Sequence, residues 1–181
     1  MSEDQLVRFC APTLAGIKTG SLFNVRIRRD KDFMKDIVFY NKTMVRKGIR
    51  IIPLKVSEEM ALIYIYRPHM LEGDLKDPVA MSILRRLGYR VSDPDRCVAD
   101  LARRLKTSSD FPHEIGLFLG YPPLDVEGFM RSPNEGFYEI GYWKVYSNVD
   151  GARRVFSRYR KCTEEYGRML KEGSSLEQLV V

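Results

Sequence analysis

Apolar and polar positions follow two rhythms along this chain, and the changes of rhythm mark its elements. Residues 3–15 place Leu6, Val7, Phe9, Cys10 and Leu14 as a short helix would, and Gly16 and Gly20 bracket a loop, Ile17-Lys18-Thr19. Ser21 to Ile27 then reads as a strand whose alternation is broken only by Leu22. Asp30 is placed to cap a helix running to about Arg46 on Phe33, Ile37, Val38, Tyr40 and Met44, with Gly48 as its stop. Ile49 to Val56 and Met60 to Arg67 predict a hairpin across Ser57-Glu58-Glu59. The second run is apolar almost throughout, which predicts a central strand covered on both faces. Pro53 cannot donate to a ladder, so the first run is an edge strand or bulges there.

The second half is punctuated more sharply. Asp77-Pro78 opens a helix that Gly88 closes, and Asp93-Pro94 opens another with Cys97, Val98, Leu101, Ala102 and Leu105 on one face. Beyond the polar break at Thr107 to Asp110, two short helical pieces, Phe111 to Leu119 and Pro123 to Met130, meet at Gly120-Tyr121-Pro122. A strand from Tyr138 to Tyr146 and a long helix from about Val149 to Lys171 follow. That helix carries Ala152, Val155, Phe156, Tyr159, Cys162, Tyr166, Met169 and Leu170 on one side, and the tail from Ser175 to Val181 is apolar enough to dock. Strands and helices mix without strict βαβ alternation. The expected fold is therefore α+β, a small, mainly antiparallel sheet of about four strands packed with several helices in a single domain, residues 1–181.

Composition narrows the function classes. With 44% hydrophobic residues among 181, the chain can bury a core without staples. No apolar run approaches the roughly 18 residues of a membrane span, and the acidic start, Ser2-Glu3-Asp4, is no signal peptide. A cytoplasmic protein with no membrane partner is expected. Cys10, Cys97 and Cys162 are odd in number and far apart, and the histidines are only His69 and His113. This argues against a disulfide framework and against a metal site built from Cys and His. Cys97 and Cys162 sit on inward stripes and read as core thiols. The net charge of +6 permits an acidic partner without requiring one.

Three segments concentrate chemistry. In the first, Cys10 to Phe23, Thr13, Thr19 and Ser21 offer donors beside Lys18, and two glycines would let backbone approach a ligand. Gly16-Ile17-Lys18-Thr19 lacks the upstream glycines of a P-loop, which leaves a nonstandard phosphate or carboxylate cradle against a plain turn. In the second, Phe111 to Pro122, His113 beside Glu114 at a helix start would serve as general base or ligand. The plainer reading has Glu114 complementing the helix dipole and His113 in a buried hydrogen bond, and it weighs slightly more. The rhythm through Phe129 also resembles a helix-turn-helix, but Asp125 and Glu127 would be repelled by DNA phosphates. In the third, Gly141 to Tyr146, Tyr142, Trp143 and Tyr146 interleave with Lys144, as a stacking platform or as a strand with one core face. Arg153, Arg154, Arg158, Arg160 and Lys161 form a basic helix face, most simply solvated, with pairs such as Arg160 with Glu164.

Cys10-Ala-Pro-Thr-Leu-Ala-Gly-Ile-Lys-Thr-Gly-Ser-Leu-Phe23, Tyr64-Ile-Tyr-Arg67, Phe111-Pro-His-Glu-Ile-Gly-Leu-Phe-Leu-Gly-Tyr-Pro122 with Asp125-Val126 and Gly128-Phe129, and Gly141-Tyr-Trp-Lys-Val-Tyr146 occur in this order. Together they resemble domain-of-unknown-function family 3793, found mainly in anaerobic, clostridia-like bacteria. The resemblance covers nearly the whole chain. It implies no activity or cofactor; it implies a redox or iron context, and it marks the segments a site would use.

The leading expectation is thus an accessory protein that binds a small ligand, a cofactor or a protein partner, an acidic one included. Its site would draw on Thr13, Lys18, Thr19, Ser21, Arg67, Tyr121, Trp143 and Lys144. The rival is an enzyme with Cys10 as nucleophile and His113 as base, Glu114 beside it. Nucleic-acid binding through the basic face ranks third.

Overall fold

A computed structural model describes residues 1–27, 32–108 and 110–181. Among them the chain runs through α1 (Glu3–Leu14), β1 (Gly20–Arg26), α2 (Phe33–Met44), a 3-10 turn (Val45–Lys47), β2 (Arg50–Val56) and β3 (Met60–Tyr66). It continues through α3 (Pro68–Asp74), α4 (Pro78–Arg86), α5 (Pro94–Thr107), α6 (Ile115–Phe118), α7 (Pro123–Arg131), β4 (Glu139–Ile140), β5 (Lys144–Val145), α8 (Val149–Lys171) and α9 (Leu176–Leu179). The fold is α+β, and its strands pair antiparallel throughout. Two compact units are formed, one by Met1–His69 with Tyr159–Val181 and the other by Met70–Arg158.

The first unit is built on the sheet β1-β3-β2. Its central strand is the apolar run from Met60, in which Ala61, Ile63, Tyr64, Ile65 and Tyr66 are all buried. Pro53 lies on the edge strand β2, and the register shifts between Pro53 and Lys55. Both consequences expected of a strand proline are therefore present. An edge strand leaves outward N–H and C=O groups open to other chains. At Ile51 these groups are taken by one side chain: Asn41 Nδ2 donates to the Ile51 carbonyl at 2.7 Å, and the Ile51 N–H donates to Asn41 Oδ1 at 3.0 Å. Leu6, Val7, Cys10, Leu14, Phe23, Ile63 and Ile65 join Leu176, Leu179 and Val180 in one core, with Cys162, Tyr166, Met169 and Leu170 packed against it. The tail is thus docked.

The helix starts follow the sequence signals. Ser2 and Gln5 form a reciprocal capping box on α1. Asp77 and Asp93 each accept two backbone N–H bonds at the first turns of α4 and α5. The expected Asp30 cap lies outside the described residues; the described start of α2 is held by Asp32, which accepts from the Met34 and Lys35 N–H groups. Ser109, in the polar break, also lies outside them.

The second unit departs from expectation in three places. α3 was not predicted, because its seven residues include Gly73 and hold only one buried side chain, Leu71. The helix expected over Phe111 to Leu119 is confined to Ile115–Phe118, and Glu114 caps nothing with its side chain. The strand expected from Tyr138 to Tyr146 is a tight hairpin of two short strands, closed by the Gly141 N–H donating to the Trp143 carbonyl at 3.0 Å. A Cβ on Gly141 would stand 2.2 Å from the Phe156 ring, so only glycine lets the turn rest on that aromatic.

Candidate functional site

The segment Cys10 to Ser21 belongs to the first unit, and its polar side chains point into protein. Thr13, Lys18, Thr19 and Ser21 are buried, and the Thr13 and Ser21 hydroxyls share a hydrogen bond of 2.9 Å. The Lys18 ammonium donates to the Gly20 carbonyl. Burial lowers the Lys18 pKa to about 8, against which the neighbouring Cys10 pulls it up. Burial likewise pushes the Cys10 thiol up to about 12, so it stays protonated at neutral pH. A thiol with no exposed surface and no thiolate is a poor nucleophile, whatever base stands nearby.

Arg67 gathers carbonyl oxygens. Its Nε donates to Thr13 O at 2.7 Å, and its Nη2 donates to Leu14 O and to Val181 O, each at 2.7 Å. The first two belong to the last turn of α1, where they also accept from the Gly16 and Val181 N–H groups and where a cation opposes the negative end of the helix dipole. The fork of the guanidinium ties α1 to the chain's last residue.

The second unit contains a different arrangement. Phe111, His113, Ile115, Gly116, Tyr121 and Val126 line a cavity of about 300 Å³ together with Asp125, Phe129, Trp143 and Lys144. Tyr121, at the end of the Gly120 turn, tilts against Trp143 with ring centroids 4.9 Å apart, and Phe156 meets the indole edge-on at 4.5 Å. His113 stands edge-on to Phe129 at 5.0 Å. Lys144 carries its ammonium over Phe137 at 4.7 Å and over Phe129 at 5.6 Å, and donates to Pro133 O. Burial raises the Tyr121 pKa to about 12, so its hydroxyl is a neutral donor and acceptor.

Asp125 organises this wall. Its carboxylate is buried on α7 and accepts from Trp143 Nε1 at 2.7 Å, from the Tyr146 N–H at 2.9 Å and from the Ser147 hydroxyl at 2.7 Å. One ion thus fixes the indole, the strand end after it and the next side chain, and every donor is spent on it. Gly116 completes the packing: a Cβ there would lie 2.8 Å from a Val126 methyl and 3.1 Å from the Tyr121 ring.

His113 and Glu114, adjacent in sequence, part company. Glu114 is buried, and its Oε1 accepts from the Tyr89 hydroxyl and from Arg104 Nε, both at 2.8 Å. Its side chain pairs with the half-buried Arg104 and makes no capping hydrogen bond to the first turn of α6. His113 is exposed at the cavity rim, not held in a buried hydrogen bond.

Of the residues singled out in the sequence, His113, Tyr121, Trp143 and Lys144 share this cavity, while Cys10, Thr13, Lys18, Thr19, Ser21 and Arg67 belong to the first unit. Asp125 was missed as a site residue, having been read as an acid that repels DNA. The available signal was its place beside Val126 and four residues before Phe129, on the apolar side of a helix, in a chain whose one tryptophan needs an acceptor when buried. On the basic helix face, Arg153 is paired with Glu139 at 2.6 Å. No group of three or more His, Cys, Asp or Glu able to hold a metal occurs among the described residues. Nor, among them, is any helix long and apolar enough to cross a membrane.

No curated protein and no solved structure matches this chain. Residues 6–180, nearly the whole chain, match one family, and the chain therefore belongs to the family described as protein of unknown function, DUF3793.

Proposed function

We propose that this protein is an accessory protein that binds a small, flat, largely apolar ligand in the cavity of its second unit. The observation that carries this reading is the cavity's composition. Phe111, Tyr121, Phe129 and Trp143 present rings to about 300 Å³ of space, at the lower end of the size of small-molecule pockets. The one acid in the lining, Asp125, is consumed by holding the wall in place. Such a wall is pre-organised, so ordering it costs little on binding. A reducing, cytoplasmic setting fits the three cysteines, which are all free thiols.

The test is native mass spectrometry with an absorption spectrum on protein purified without oxygen. A bound organic mass in the wild type that is lost in Phe111→Ala supports the reading, because Phe111 is half exposed and its removal leaves the core intact. A bound mass retained by that variant places the ligand elsewhere.

A further inference from the structure

We infer that the ligand of this cavity is an anion, its acidic group held by Lys144 and His113 beside the Phe129 wall. This rests on the binding reading above and adds the ligand's charge. The donors and acceptors still open in the lining decide it. Asp125 already accepts three hydrogen bonds, and the Trp143 N–H is one of the donors it holds. The indole N–H is therefore not left for a ligand, and the carboxylate keeps at most one of its roughly four acceptor positions.

Two groups remain. Lys144 donates one N–H to Pro133 O, and an ammonium has three. His113 is exposed at the rim, and its ring is engaged only by its edge-on contact with Phe129 among the described residues. Both stand against the same ring, Phe129, at 5.0 Å for the imidazole and 5.6 Å for the ammonium. An aromatic box can also attract a cation. Here Lys144 already lies over Phe129 and Phe137, and a second positive charge among the same rings would be repelled. The site therefore suits a planar aromatic carried by a carboxylate, sulfonate or phosphate, with the ring among Tyr121, Trp143 and Phe129 and the acid toward Lys144.

Isothermal titration calorimetry with 2-naphthylacetate, 2-naphthylethanol and 2-naphthylethylamine separates ring from charge. The acid should bind about tenfold tighter than the alcohol, the size of one charge-assisted hydrogen bond, and the amine should bind weakest. Lys144→Met should abolish the acid's advantage over the alcohol, read as the ratio of the two affinities in the same variant. His113→Gln, at an exposed position, should reduce that advantage by a smaller factor and serves if Lys144→Met does not fold. An alcohol that binds as tightly as the acid, or an amine that binds tightest, overturns the charge assignment while the cavity stands as a binding site. Failure of all three naphthyl compounds to bind overturns both.

Discussion

The indole N–H of Trp143 donates to Asp125 across 2.7 Å, and the same carboxylate holds the Tyr146 N–H and the Ser147 hydroxyl. The two residues are therefore not equal partners. Removing the indole N–H spares two of the three bonds, whereas removing the carboxylate strands three buried or half-buried donors. Trp143→Phe should cost about 1–2 kcal/mol and Asp125→Ala about 3–5 kcal/mol, by the usual cost of one lost bond against several orphaned donors. Urea denaturation followed by circular dichroism measures both. Equal losses would mean that the carboxylate has no organising role.

A second contrast uses two glycines. Gly141 has the Phe156 ring where its Cβ would go, so Gly141→Ala should destabilise by about 1–3 kcal/mol through overpacking and should loosen the hairpin. Gly167 lies inside α8 with nothing within 4 Å of a built Cβ. Gly167→Ala should stabilise by about 0.5–1 kcal/mol, from helix propensity alone. Thermal melts of the two variants should move in opposite directions.

Arg67 offers a test of geometry against charge. Its planar fork reaches Thr13 O, Leu14 O and Val181 O together, which a lysine's point charge cannot do. Arg67→Lys should cost about 1–3 kcal/mol. Hydrogen exchange should also speed up at the Val181 N–H, which donates to Leu14 O beside this clamp. An unchanged exchange rate would show that the last residue is held by other contacts.

Lys18 and Cys10 oppose each other in pH. The folded protein binds the Lys18 proton less well than the unfolded chain, because burial lowers its pKa to about 8. Stability from this group therefore rises with pH above about 8, up to lysine's ordinary range. Burial raises the Cys10 pKa to about 12, so its contribution falls above the ordinary thiol value near 9. Between about pH 8 and 9 the lysine acts nearly alone, and the unfolding free energy should climb by about 1 kcal/mol per pH unit at most. Lys18→Met should flatten that rise in denaturant titrations at each pH, and a rise that persists in the variant would assign it to another group.

Much of the first unit was legible because its signals are local. Pro53 announced an edge strand, the unbroken run from Met60 announced the central one, and Gly48 closed the helix ahead of them in the left-handed conformation, φ +73. The hairpin at Gly141 was not legible, because the ring that demands glycine belongs to a helix formed later in the chain. The partners of Glu114 and Asp125 were hidden for a related reason. Tyr89, Arg104 and Trp143 are distant in sequence, and an acid looks alike from sequence whether it faces water or a buried donor. His113, Tyr121, Trp143 and Lys144 could be named from their residue types, but the space they enclose depends on Gly116, Val126 and Phe129, which read as ordinary packing.

The cavity walled by Tyr121, Phe129 and Trp143 is proposed to receive a flat ligand. Trp143 is the chain's only tryptophan, and its hydrogen-bonded indole N–H should give one isolated amide-type resonance. The decisive measurement is a nitrogen–proton correlation spectrum recorded while planar aromatic compounds are titrated to millimolar concentration. Binders should move the Trp143 indole signal together with the backbone signals of Gly116, Tyr121 and Phe129, saturably, and leave those of the Cys10 to Ser21 segment in place. Saturable binding that leaves all four cavity signals unmoved, or no binding by any planar compound, would contradict it.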